Sequence, residues 1–236
     1  MKNMVVIARR ELHAYFASPI AYVVIAAFLA IMGFFFSLIV YYTREASLRG
    51  VFANMAVTLL FVTPALTMRL LAEEQRSGTI ELLLTLPVRD WEVILGKFLA
   101  GLGVYAVMLA LTLYYPLLMI SLGNPDRGAI IGGYVGLALV GATFLSIGLF
   151  TSSLSRNQVV AALLAFGAML ILWLVDVAGS LFGPPVSDVV AYLSMSAHYF
   201  DFLKGIVDTK DVIFYLSATA GFLFLSVQML QLRRWR

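Results

Sequence analysis

Glu73, Glu74, Arg76 and Glu81 stand together in a chain that otherwise carries little charge between its long apolar runs. Such a group can form ion pairs and charge-assisted hydrogen bonds with a polar partner. It supplies no nucleophile with an adjacent base. Phosphate chemistry is equally poorly served. A P-loop follows G-x-x-x-x-G-K-[ST], whose backbone amides cradle the anion. Here Gly96-Lys97 is followed by Phe98, lacks the first glycine and opens an apolar run. If ATP drives this protein, another polypeptide binds it. The two histidines, His13 and His198, form no H-E-x-x-H motif, so metal hydrolysis has no evident ligand set. With no cysteine, thiolate zinc sites and disulfides are excluded. A membrane-embedded enzyme acting on lipids would need such groups clustered on one side, and none are.

These few groups must be positioned by an unusually apolar chain. Of its 236 residues, 62% are hydrophobic and 12% charged, with a mean hydropathy of +0.96. A soluble domain carries about 25% charged residues, and one of this length still needs a wet exterior. The chain reads as an integral membrane protein. The sequence pI near 9.2 does not imply nucleic acid, because the net charge is only +3. The basic residues flank apolar runs, where they set orientation in the bilayer. Lys2, Arg9, Arg10, Glu11 and His13 interrupt any early apolar core. The N-terminus therefore does not read as a cleavable signal, whose apolar region runs roughly 7–15 residues.

A helix crosses the hydrocarbon in about 20 residues. Six segments meet that length: 19–42, 51–71, 91–122, 129–154, 157–182 and 211–232. None alternates as a membrane β-strand does. The third is longer than needed, so it starts outside the bilayer or tilts. Ser18 is an N-cap before Pro19, Asp90 a cap for the third span, and Ser155 with Gln158 has capping-box spacing. Asn124-Pro125 signals a turn, and Asp208 or Thr209 starts the sixth span. With the N-terminus inside, eleven Lys and Arg fall on the cytoplasmic side and five outside. That bias places both termini and residues 73–88 in the cytoplasm.

Two further segments are neither span nor simple loop. Residues 4–16 set apolar side chains at helical spacing among Arg9, Arg10 and His13, as an amphipathic helix on the inner surface does. The outer segment 183–210 exceeds an ordinary loop of about 4–6 residues. Val189, Leu193, Tyr199, Phe200, Leu203 and Ile206 recur in it at helical steps. Short helices dipping into the outer leaflet are expected, since backbone at that depth must be helical or protein-buried.

Within residues 73–88, Ile80, Leu82, Leu83, Leu84 and Leu86 are apolar beside the charged set. Gly78 permits a sharp turn before a helix of about two turns that Pro87 ends. So short a helix needs packing to be stable. Two readings stay open: a docking surface for a soluble partner, or an interfacial helix that only anchors the second and third spans. Asp176 is the one acidic residue well inside an apolar run. A carboxylate there costs about 2.5–3.5 kcal/mol at the bilayer centre and often marks a transport path. Its place near the outer end of the fifth span equally fits an interfacial role, as the inner interface fits Arg69. Gly132-x-x-x-Gly136 suits close packing within one subunit or between two. Tyr114, Tyr115, Trp173, Tyr192 and Tyr199 fit an outer aromatic belt or the lining of a lipid-facing exit.

The run Glu73-Glu74-x-x-Ser77-Gly78-Thr79-Ile80-Glu81-Leu82-Leu83-Leu84-Thr85-Leu86-Pro87-Val88, followed by Gly96-Lys97, resembles the signature of ABC-2 type transporter permeases. Ser18-Pro19-Ile20-Ala21-Tyr22, His198-Tyr199-Phe200, Lys204-Gly205-Ile206-Val207-Asp208 and Arg233-Arg234-Trp235 resemble the branch associated with gliding-motility permeases. The resemblance implies an all-α integral membrane protein, ABC-2 (type V) exporter-like, with six transmembrane helices and an N-terminal amphipathic interfacial helix. It implies one permease domain that dimerises and binds cytoplasmic ABC ATPase subunits, which carry the ATP and Mg. No cofactor is expected on this chain. By similarity, residues 1–17 form a connecting helix, 73–84 the coupling helix, and Ser155, Arg156, Asn157 and Gln158 a second cytoplasmic contact. Glu73, Glu74, Arg76 and Glu81 are then expected as polar coupling contacts, Ile80 and Leu83 as apolar anchors, and Gly78 as the setter of the approach angle. Asp176 and Tyr199 are candidates for a pathway or outer gate.

The expected function is thus the permease subunit of an ATP-driven exporter in the inner membrane of a prokaryote. It would do no covalent chemistry, and its apolar walls favour an amphipathic or lipid-linked cargo. The alternative is a mechanotransmission subunit that drives an extracytoplasmic partner through residues 183–210 without moving cargo. A substrate-sized path along the dimer favours the first; a sealed interface with an outer partner favours the second.

Overall fold

The computed structural model describes residues 2–79, 88–179 and 192–234, and every regular element among them is a helix. In chain order these are α1 (Lys2–Ala17), α2 (Pro19–Thr43), α3 (Arg49–Thr67), α4 (Ala72–Ser77), α5 (Asp90–Thr112), α6 (Tyr114–Leu122), α7 (Arg127–Leu154), α8 (Gln158–Gly179), α9 (Met195–Leu203) and α10 (Thr209–Arg234). Six helical stretches among the described residues are long and apolar enough to cross a membrane: Pro19–Thr43, Arg49–Ser77, Asp90–Leu122, Arg127–Leu154, Gln158–Val177 and Thr209–Leu232. They coincide with the six apolar segments of the sequence.

Helix α7 is the hub, packed against α3, α5, α8, α9 and α10. Glycines make this possible, because they let large side chains seat directly on the helix backbone. A Cβ added at Gly141 would lie 2.2 Å from the Tyr105 ring, and one at Gly148 would lie 2.1 Å from Thr67 Oγ1. The Tyr105 hydroxyl reaches past Gly141 and donates to the Leu137 carbonyl at 2.6 Å. Gly132 and Gly136 face α9: added Cβ atoms would lie 2.6 Å from the Phe202 carbonyl oxygen and 2.8 Å from Phe202 Cβ. The Gly132-x-x-x-Gly136 pattern therefore serves packing within this chain. Spans α3, α5 and α7 are largely buried, whereas α2, α8 and α10 turn most of their surface outward. Phe34, Leu163, Ile171 and Phe224 are among the side chains left exposed there.

Several boundaries differ from expectation, each for a local reason. The third span is broken at Leu113 into α5 and α6. Pro116 has no N–H for the Thr112 carbonyl, and that carbonyl instead accepts the Tyr134 hydroxyl at 2.8 Å. Asp90 is the first residue of α5, with Arg89 ahead of it as the N-cap. Asn157, rather than Ser155, caps α8: its Oδ1 accepts the Val159 amide at 2.9 Å. Ser18 caps α2 as expected, accepting from the Ile20 amide at 3.4 Å. The aromatic belt is also smaller than expected. Tyr114 and Tyr192 are exposed, but Tyr115, Trp173 and Tyr199 are buried in the core. Of the outer segment 183–210, the described part holds α9, whose Met195, Tyr199 and Phe202 point inward.

Candidate functional site

The end of the bundle expected to face the cytoplasm is built where α3 stops at Thr67 and the chain turns before α4. Ser152, near the end of α7, holds that turn. Its hydroxyl accepts from the Leu71 and Ala72 amides, each at 3.0 Å, and donates to the Met68 carbonyl at 3.0 Å. Amides at a helix start have no partner within the helix, and leaving one buried and unbonded costs about 1–3 kcal/mol. The side chain of Gln75 adds a second tie, with Nε2 donating to the Ser153 carbonyl at 3.0 Å. Together these bonds fix α4 to α7.

On its other side α4 is fixed by a buried ammonium. Lys97, only 1% exposed, holds Nζ 2.8 Å from Glu74 Oε1 and 3.3 Å from Glu11 Oε1. Three elements, α1, α4 and α5, meet on this one charge. Arg10 also reaches Glu11, at 2.7 Å. Burial pushes the Glu11 carboxyl up, but Lys97 and Arg10 together outweigh it and hold the group below its ordinary value. The close approach of α1 depends on Gly96, where an added Cβ would lie 2.8 Å from Ile7 Cγ2 and 3.0 Å from the Met4 carbonyl. Helix α1 is therefore docked along α5, in addition to carrying an outward face with Val5 and Val6 exposed.

The same end is closed by Tyr15 and Arg69. The Tyr15 hydroxyl donates to the Leu66 carbonyl at 2.7 Å, and burial pushes its pKa well up. The Arg69 guanidinium sits 4.7 Å from the centre of the Tyr15 ring and donates to Ser18 Oγ at 3.3 Å. Glu11, Tyr15, Arg69, Glu73, Glu74 and Lys97 line a cavity of about 190 Å³ between α1, α4 and α5. These groups can transmit force through ion pairs and hydrogen bonds. They place no nucleophile beside a base.

The expected coupling residues separate into two kinds. Glu74 turns inward to Lys97, and Glu73 accepts from the Gln158 side chain, so α4 touches the start of α8. Arg76 is exposed in the last turn of α4 and lines a notch with Arg156 and Asn157. Gly78 caps the C-terminus of α4 at φ +74, a left-handed conformation that glycine adopts without strain. The helix expected to follow Gly78 falls outside the described residues; within them, the helix α4 precedes it. Ile80, Glu81 and Leu83 lie outside the described residues. Ser155 Oγ accepts the Asn157 amide at 3.0 Å and so shapes the α7–α8 turn.

At the opposite end of the bundle, Asp176 accepts from Ser196 Oγ at 3.2 Å, and the buried Tyr199 hydroxyl donates to the Phe52 carbonyl at 3.0 Å. Both side chains are engaged inside the fold. Sequence reasoning missed Ser152, Gln75 and Lys97 as structural links, and it missed the buried pair of His198 Nδ1 with Asp211 Oδ1 at 2.6 Å. The Thr151-Ser152-Ser153 run, three hydroxyls closing an apolar span, was the available signal for the first of these.

A family model described as ABC-2 family transporter protein matches residues 16–232. No curated protein matches the chain significantly.

Proposed function

Because the chain belongs to the ABC-2 transporter family, we propose that it is the membrane permease subunit of an ATP-driven exporter. Its fuel is burned by a separate cytoplasmic ABC ATPase that carries the ATP and Mg, and it works as a dimer with a second permease copy. On this reading it sits in the inner membrane of a prokaryote with both termini inside, and its cargo is amphipathic or lipid-linked. The likeness to gliding-motility permeases belongs to the same proposal.

One observation carries this reading: α4 is short, faces out at its tip, and is bolted to the bundle on two sides. Ser152 and Gln75 join it to α7, while Lys97 joins it to α5 and α1. An ATPase that closes on ATP and pulls on α4 would therefore move the bundle as a body, and rigid rotation about packed interfaces is an established switching mode. The same rigidity supports a second reading. The α7 hub continues outward to α9 through Gly132 and Gly136, so inner motion would reach the outer segment even without cargo. That is the mechanotransmission alternative.

Gly78 offers the test. Among the described residues a Cβ there meets nothing within 4 Å, so a side chain strains the left-handed turn alone, at a cost of about 1–2 kcal/mol. Gly78→Val is expected to leave insertion and folding intact, while ATPase activity of the purified complex falls about tenfold through loss of the docking angle. Wild-type ATPase activity in a well-folded Gly78→Val complex would contradict the reading.

A further inference from the structure

We infer that the notch between Arg76 and Arg156 receives an acidic side chain of the ATPase partner, which clamps the two cytoplasmic segments as one contact. The inference rests on the permease reading above and names the chemistry of its docking surface. Arg76 ends α4, and Arg156 stands at the apex of the turn between α7 and α8. With Asn157 they line one concavity of about 370 Å³. Both arginines are exposed, and neither has an ion pair among the described residues.

The two described acids nearest Arg76 in the chain are already engaged. Glu74 is held by Lys97, and Glu73 accepts from Gln158. The notch is also preformed rather than mobile, since Gln75 and Ser152 pin α4 to the end of α7. Two like charges are thus held around one hollow with no counter-charge among the described residues. Their guanidinium forks present planar sets of donors that match a carboxylate in two-point geometry. A single Asp or Glu reaching in would bond both, relieve their repulsion, and tie α4 to the α7–α8 turn. A lipid headgroup is the less fitting occupant. Arg156 lies beyond the end of α7, and Arg76 sits in the last turn of α4, past the end of α3 at Thr67.

The test uses the full chain co-purified with its ABC ATPase. Arg76→Glu with Arg156→Glu is expected to weaken ATPase retention on the order of tenfold or more. Arg76→Lys with Arg156→Lys should hold the partner better than the reversed pair, and raised salt should loosen the wild-type complex. Reversal of one ATPase Asp or Glu to Lys should restore binding to the double Glu variant. Two results overturn the inference. One is wild-type retention by the double Glu variant. The other is full ATPase retention together with lost binding to vesicles containing phosphatidylglycerol, which assigns the arginines to lipid. Failure of the wild-type chain to retain any ATPase defeats the underlying reading as well, and is seen before any variant is made.

Discussion

Lys97→Met is expected to destabilise the protein by about 3–5 kcal/mol, the cost of removing one partner from a buried ion pair. Lys97 is 1% exposed, and the two carboxylates it serves are 18% and 16% exposed. Methionine fills the space but leaves Glu11 and Glu74 with only the exposed Arg10, 2.7 Å and 3.7 Å away, and Glu74 Oε2 has no partner among the described residues. Unfolding in detergent, followed by circular dichroism, reads the loss directly. The triple variant Lys97→Met, Glu11→Gln, Glu74→Gln should recover much of it, because the uncompensated charges go as well. Wild-type stability in the single variant would show that the ammonium is not holding α1, α4 and α5 together.

Gly141→Ala is the second large effect, expected to cost about 3 kcal/mol, at the upper end for overpacking a core. An added Cβ would lie 2.2 Å from the Tyr105 ring, which cannot swing aside without giving up its bond to the Leu137 carbonyl. The contrast is Gly167→Ala, where nothing lies within 4 Å. There the change should stabilise the helix by up to about 1 kcal/mol, the ordinary gain of alanine over glycine. Measured side by side, the two variants should shift the unfolding midpoint in opposite directions. Equal shifts would mean that the α5–α7 contact is looser than described.

How much of this could be read beforehand follows from which interactions are local. The six spans, the Ser18 cap and the helix over residues 4–16 were legible, since each depends on residues close in sequence. The break after Thr112 also had a local cause in Pro116, but the carbonyl it frees is answered by Tyr134 from another helix. The charged cluster at Glu73 and Glu74 was visible, yet its use was not. Whether a carboxylate faces a partner protein or a lysine of its own chain depends on how α1 and α5 approach, and two spans separate residue 97 from residue 11. The same holds for Tyr199 and Trp173, which have the composition of an interfacial belt but are drawn into the core by α7 glycines that admit α9. Ser152 was hidden for the opposite reason: the Thr151-Ser152-Ser153 hydroxyls signal a polar role, but which backbone groups they meet shows only once the chain they hold is beside them.

The central claim is that the tip of α4 faces the cytoplasm and meets the ATPase. The chain has no cysteine, so Ser77→Cys gives a single thiol at that tip with no background. A membrane-impermeant maleimide should label it in inverted vesicles stripped of ATPase and fail to do so in right-side-out vesicles. Adding the ATPase back should protect it. Labelling from the outer face, or labelling from the inner face that the bound ATPase leaves unchanged, would contradict the account.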